Sequence, residues 1–528
     1  MEQLAILTQT PQPEKVQTSD NNLIDKWMRP FFTEEDASLK KQRILDLQRR
    51  ALWLGIALVL QAPNEPIFNL VVPLLGPLGS VLPFILILGS FIAVFMAFRP
   101  ASSKKREQEE QPFLLRRWQK IAMLLVLFTA LVGVVLCIMT VVMAFLPPRM
   151  SNDGTSLDTN AAILLLEGRN PYADSNMLSV ARRFSIQPNW TTPLQKGQFA
   201  NSSNYPTNTD LQSVFDTDMK SGKALEFESK VSYPALSFLT LIPFVWANDY
   251  NVLPFYLLSY LALIFIGWKY APRALRPWVL VLGLANISMW SSTYGSNLDI
   301  FSTLLVVMAW MLRERRWTST VLLGLAFASK QTSWFLAPFY AILILRTYGW
   351  NEMLRRMSVA GGIFLACNLP FILWNPQAWL AGILAPMADP MFPLGVGLVG
   401  FSVTHLIPLF PKWVYTALEG IAMLGSLAWY WRTCKKMPES AILLAVLPLF
   451  VAWRSLSSYF YCVVYPIFIL MVAHPPVRQQ KHGATNFSFA WAMGRNRQRL
   501  SDVPTPAGAY FSTYASVNTS HRWGGYRL

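Results

Sequence analysis

Charge is scarce in this chain: Asp, Glu, Lys and Arg make up 14% of its 528 residues, against 53% hydrophobic residues. A soluble globule is about a quarter charged, so this balance, with a mean hydropathy of +0.33, excludes one and indicates an integral membrane protein. Cysteine is equally sparse. Cys137, Cys367, Cys434 and Cys462 are scattered without CxxC or Cys/His spacing, which excludes a disulfide framework and a zinc site. No nucleotide-binding glycine loop or DxD-type metal motif stands among the apolar runs, so no metal and no cofactor is expected. The apolar runs lack period-2 alternation, which disfavours a β-barrel, and no internal repeat suggests a transporter built from inverted halves. The first 50 residues are polar and end in Lys40, Lys41, Arg49 and Arg50, so the first apolar run is not a cleaved secretory signal in the usual place.

What the chain does have is a series of apolar runs, at 51–62, 66–98, 121–146, 235–247, 251–270, 277–292, 298–312, 318–329, 333–346, 359–373, 398–410, 412–431, 441–453 and 456–473. A membrane-spanning helix takes about 20 apolar residues, and several of these are too short to cross alone. The expected fold is all-α and polytopic, with roughly 11–14 membrane helices. Pro73, Gly76, Pro77 and Gly79 interrupt the second run, which reads either as a hairpin or as a broken helix followed by a spanning one. Short and broken elements persist at membrane depth only where protein or a wet cavity satisfies their backbone, so an internal cavity is expected.

The formal charge of +16 gathers in short loops and tails, the pattern of positive-inside topology rather than of nucleic-acid binding. The loop Arg99 to Lys120, with Lys104, Lys105, Arg106, Arg116 and Arg117, and the stretch Arg346 to Arg356 both read as cytoplasmic. The run 121–146 then crosses, and 148–232, the one long polar insertion, is extracytoplasmic. Four segments follow: a cytoplasmic tail at 1–50, extra membrane helices and a basic loop at 51–120, a membrane domain at 121–473 and a flexible basic tail at 474–528. Within the first tail, Thr33 to Arg50 carries Leu39, Ile44 and Leu47 among charges, as a helix on the anionic membrane surface would. The reading is a multi-pass protein of the plasma membrane with its N-terminus in the cytoplasm.

Directly after the run 121–146 comes a polar, acidic turn with Asp153 and Asp158, followed by AlaAlaIleLeuLeuLeu at 161–166, expected to lie on the membrane surface. A carboxylate at a helix exit can meet a water-soluble acceptor and a lipid-borne donor together, and can serve as a general base. The competing reading is that Asp153, followed by Gly154, only makes a turn and caps a helix starting near Thr155. Lys330 ends a short apolar run far from other charges; it either meets a phosphate, snorkels to an interface, or pairs with Asp299. Arg454 lies between two apolar runs, followed by SerLeuSerSerTyrPhe; a guanidinium fork matches phosphate oxygens, and Tyr459 could hydrogen-bond the same group. His405, the one histidine inside the membrane domain, either orients a substrate or simply packs. Asp389 sits in the Pro-rich stretch 376–397, which reads as a loop with an Asp-Pro turn. The stretch 173–232 could serve as a lid, with Trp190 and Tyr205 either stacking on sugars or only pinning the loop to the scaffold; Asp216 and Asp218 do not make a metal site on spacing alone.

AsnAspGly at 152–154, LeuLeuLeuGluGly at 164–168, ArgAsnProTyr at 169–172, TyrPro at 233–234 opening a helix to Pro243, GlySerAsnLeuAsp at 295–299, LeuLeuGlyLeuAlaPheAlaSerLysGln at 322–331 and ArgSerLeuSerSerTyrPhe at 454–460 follow in order. This ordered set, over about 120–473, resembles the GT-C glycosyltransferases, most closely the family 87 branch of polyprenyl-phosphate-sugar-dependent mannosyltransferase-like proteins. Ser296 stands where that family commonly shows Gln, and an aromatic between its loop acid and the LeuLeu.Gly element is absent. The resemblance implies an inverting hexosyltransferase that moves a mannose-like sugar from a polyprenyl phosphate to an extracytoplasmic lipid, glycan or protein acceptor. Asp153, with Asp158 second, would be the general base; Lys330, Arg454 and Tyr459 would bind the donor phosphate; His405, Gln331 and Asp299 would contact substrate. Alternatives are a transporter or flippase of lipid-linked sugars and a non-catalytic subunit of an envelope-polysaccharide complex.

Overall fold

The computed structural model describes residues 37–64, 66–67, 74–99, 117–147, 150, 152–202, 204–247 and 250–473, which are mostly helical. The N-terminal tail before 37, Pro73, the basic loop 100–116 and the C-terminal tail from His474, with the expectations attached to them, lie outside the described residues.

The surface helix expected up to Arg50 and the first apolar run form one helix, α1 (Ala37–Gln61). No Pro or Gly separates the two parts, and Asp46 pairs with Arg49 at 2.9 Å and Arg50 at 2.8 Å along the helix, so the charges brace it instead of ending it. Leu47, Ala51, Leu54 and Leu58 form its buried stripe. The second run resolves as a 3-10 turn, Gly76–Ser80, leading into α2 (Val81–Phe98); α3 (Arg117–Met143) follows.

Among the described residues, four helices are long and apolar enough to cross a membrane: Gly76–Phe98, Arg117–Met143, α5 (Leu253–Tyr270) and α9 (Trp350–Trp374). α3 is the barest. Leu124, Phe128 and Leu131 are each more than 60% exposed, whereas Gly133 lies so close to the helix α6 (Arg276–Ala285) that a Cβ would stand 1.7 Å from the Leu284 carbonyl oxygen. Apolar surface of this extent belongs against lipid, and the chain is a multi-pass membrane protein.

Between α3 and α5 lies α4 (Asp153–Leu166) and the folded polar insertion that follows it. Further on come α7 (Asp299–Met311), α8 (Arg316–Ser329), α10 (Pro376–Ala388), α11 (Lys412–Thr433) and α12 (Val464–Ala473). Trp290, Trp310, Tyr260 and Tyr340 are fully buried in the membrane core. Their polar atoms are satisfied: Tyr260 and Trp290 both donate to the Gly283 carbonyl, at 2.6 and 3.1 Å, Trp310 donates to that of Pro438 at 3.1 Å, and the Tyr340 hydroxyl bonds that of Ser319 at 2.7 Å.

Three expectations are corrected, and one basic stretch, 346–356, gains a defined shape. Ala161, Ala162 and Ile163 are buried inside the protein, packed with Tyr172, Phe238 and Phe371, and Leu164 is buried as well, not laid on a surface. The basic stretch 346–356 is mostly the first turns of α9, where Arg356 is 3% exposed and bonds Glu352 at 2.8 Å. The Pro-rich stretch from 376 is largely helical. Asn375 caps α10 by accepting from the Ala378 N–H, Pro376 takes the first-turn place where its missing N–H costs nothing, and Pro386 stands near the end. Finally, the helix opened by Tyr233 and Pro234 breaks into two single turns, Leu236–Leu239 and Ile242–Trp246, with Pro243 starting the second.

Candidate active site

Asn152, not Asp153, caps α4: its side chain accepts from the Thr155 N–H at 2.8 Å and donates to the Gly295 carbonyl at 2.7 Å. Thr155 Oγ1 donates to the carbonyl of Ser296, which holds a left-handed φ of 58°. The helix start is thereby fixed to the 295–296 turn, and Asp153 is released from capping. Gly154 leaves room beside it, since a Cβ there would meet the Tyr233 ring and hydroxyl at 3.2 Å.

Asp153 is half-buried. Oδ1 accepts the Gly154 N–H at 2.9 Å and Oδ2 accepts the Thr192 hydroxyl at 2.5 Å. Burial pushes its carboxyl above the usual range; Thr192, the Arg454 charge and the Gly154 N–H pull it back. The Tyr205 hydroxyl feels both Asp153 and Arg454, so the polar insertion supplies a tyrosine to the same place.

Arg454 reaches this place on a two-residue strand. β1 (Leu394–Gly395) and β2 (Arg454–Ser455) pair in parallel, Leu394 opposite Arg454 and Gly395 opposite Ser455. Only glycine fits the partner position: Gly395 has φ +141°, and a Cβ would stand 2.1 Å from the Ser455 carbonyl oxygen. At Gly397 a Cβ would meet the Phe450 oxygen at 1.9 Å. Among the described residues Arg454 forms no ion pair with a carboxylate, unlike Lys330.

Lys330 Nζ is 2.8 Å from Asp299 Oδ1 and 4.9 Å from the centre of the Tyr233 ring. Of the readings open for this lysine, the Asp299 pair is the one observed. Asp158 lies on the same side: it is 1% exposed, Oδ1 accepts the Ser237 hydroxyl at 3.0 Å, and Oδ2 has no hydrogen-bond partner. Burial pushes its carboxyl up to about 8, against the pull of Ser237 and Lys330. Tyr459 lies within the fields of Arg454, Lys330 and Asp299, joining the two halves of the cluster. A pocket beside it is lined by Asp299, Ser302, Ser333, Ser458, Tyr459 and apolar residues including Val306; neither Asp153 nor Asp158 lines it.

Gln331 donates to the carbonyls of Ser232 and, at 3.3 Å, Ile383, tying α8 to the insertion's end and α10. His405 is exposed, with a left-handed φ of 62°, and no contact brings it to the acids. Asp389 ends α10 and pairs with Lys230 at 2.5 Å and Lys196 at 3.6 Å. Tyr172 Oη donates to the Tyr233 carbonyl at 2.8 Å, giving ArgAsnProTyr a structural task.

Sequence reasoning did not reach Thr192, Gly395 or Gly397, and it took Tyr233 only as the start of a helix. GlyValGly at 395–397 carries a signal, since closely spaced glycines mark close backbone approach. Thr192 carries none. Protein-family models, curated proteins and solved structures were each compared with this chain, and none matches.

Proposed function

We propose that the protein is a GT-C-like membrane glycosyltransferase, of the family 87 kind, that transfers a mannose-like hexose from a polyprenyl phosphate to an acceptor outside the cytoplasm. The observation that carries this reading is a half-buried carboxylate, Asp153, within the field of Arg454, an arginine without a carboxylate partner among the described residues. Each Asp153 oxygen accepts one hydrogen bond, which leaves lone pairs for a third donor. An acceptor hydroxyl would fill that place.

In the step this supports, the acceptor oxygen attacks the anomeric carbon while Asp153 takes its proton. The bond from that carbon to the phosphate oxygen breaks, and polyprenyl phosphate leaves with the electron pair. Attack opposite the leaving group inverts the anomeric centre. Arg454, and less directly Tyr459, would hold the phosphate and the charge it gains. Lys330 is already neutralised by Asp299, so we assign it a long-range field rather than a direct phosphate bond. The short apolar helices between the four long ones complete the bundle, with α4 and the insertion on the extracytoplasmic side of the plasma membrane.

Membranes containing the protein, supplied separately with radiolabelled polyprenyl-phosphate mannose, glucose and arabinose, test the reading. One donor should be consumed, and D153N should slow transfer by about 10²- to 10⁴-fold while still binding that donor. A flippase would tolerate D153N, and a non-catalytic subunit would consume no donor; either result overturns the proposal.

A further inference from the structure

The Thr192 hydroxyl donates to Asp153 Oδ2 at 2.5 Å from within the polar insertion, 39 residues further along the chain. Its backbone is not loose. The Glu228 N–H donates to the Thr192 carbonyl at 2.9 Å, and the Leu194 N–H donates to that of Glu226 at 2.7 Å, with Pro193 bridged to Phe227. On the other side Leu194 is bridged to Met391, and the Gln195 N–H donates to the Pro390 carbonyl at 2.8 Å. Met391 in turn accepts from Trp453 Nε1 at 3.0 Å, and three residues on begins β1, which pairs with Arg454. Lys230 and Lys196, both on Asp389, clamp the same junction.

One hydrogen-bonded strip therefore runs from Thr192 through 389–395 to Arg454. It fixes the hydroxyl that holds the acid and the strand that presents the guanidinium. A carboxylate on a flexible side chain has two rotatable bonds; the Gly154 N–H and the Thr192 hydroxyl, one on each oxygen, settle both. We propose that Thr192 is a positioning residue for the transfer, aiming the Asp153 carboxylate through the bond to Oδ2; the inference rests on the function proposed above and deepens it.

The charged and titratable groups facing Asp153 are Arg454 from β2, Tyr205 from the insertion and Tyr233 from the segment before the Leu236–Leu239 turn. All remain in T192V, which keeps the side-chain shape and removes only the donor. Infrared pH-difference spectra of the purified full chain, with D153N used to identify the Asp153 carboxyl band, read its ionisation without any substrate. T192V should move that titration upward by about one pH unit, because a hydrogen bond to the charged form is lost, and T192S should restore it. An unmoved T192V titration overturns the proposal, whether or not sugar transfer is found. Where transfer is found, T192V should also lower kcat more than tenfold with the donor KM little changed. Equal kcat in T192V and the wild type overturns the positioning role alone and leaves the transferase standing.

Discussion

Lys330 Nζ and Asp299 Oδ1 stand 2.8 Å apart, with side chains only 7% and 11% exposed. Each is the other's desolvated counter-charge. Removing one partner of such a pair strands a buried charge, which costs about 3–5 kcal/mol, whereas removing both is often near neutral. D299N should therefore sharply lower the thermal stability of the detergent-purified protein, and the double variant D299N/K330M should recover most of it. Equal stability of D299N and the wild type would show that the pair is not held in the folded protein.

In the proposed transferase Arg454, which pairs with no carboxylate among the described residues, would meet the donor phosphate. Lysine keeps its charge but lacks the planar fork, so R454K should raise the donor KM about tenfold to hundredfold, the loss of one charge-assisted hydrogen bond worth about 1.5–3 kcal/mol. R454A should lose more. It should also push the Asp153 carboxyl further up, because the Arg454 charge is one of the terms holding it down. Steady-state kinetics with the radiolabelled donor check the first effect, and an R454K enzyme with unchanged KM would refute the role.

Asp158 carries a pH signature. Its folded value of about 8 exceeds the ordinary 3.8, so the folded state holds a proton that the unfolded state releases. That contribution is fully present below about pH 4, and it is lost progressively as pH rises to about 8 and through it. D158N cannot titrate. Its unfolding temperature should fall less than that of the wild type between pH 5 and pH 8, and parallel curves would contradict the assignment.

Gly395 lies at the contact that holds Arg454 in place. G395A would force a side chain into the Ser455 backbone at a φ of +141°, so something must move. The expected cost is about 2–3 kcal/mol in stability, with loss of donor binding because β2 shifts. Thermal scanning together with a donor-binding assay checks it. Unchanged binding in G395A would separate the strand pair from the site.

The helical, membrane-embedded character follows from composition, and most apolar runs became helices close to their expected bounds. The exceptions have local causes. Asn375 with Pro376 makes a good helix start out of a Pro-rich stretch, and an unbroken backbone merges a polar tail with an apolar run in α1. AlaAlaIleLeuLeuLeu was readable as apolar, but whether it faced lipid or protein depended on Tyr172, Phe238 and Phe371, which are remote in sequence. Asp153 and Arg454 were legible because an acid and a base beside apolar runs are costly and call for a reason. Their mutual field was not legible, since it depends on a two-residue strand pair between segments 60 positions apart. Thr192 is one hydroxyl in an insertion full of them.

The insertion's helix Asn208–Ser221 buries Leu211, Val214 and Phe215 and leaves Gln212, Ser213, Asp216 and Thr217 exposed. Phe215 stacks edge-on against Phe227, the residue bridged to Pro193. That helix and the Thr192 strip thus share a packing contact, so trimming Phe215 in a helix that touches no site residue would loosen the strip through Phe227.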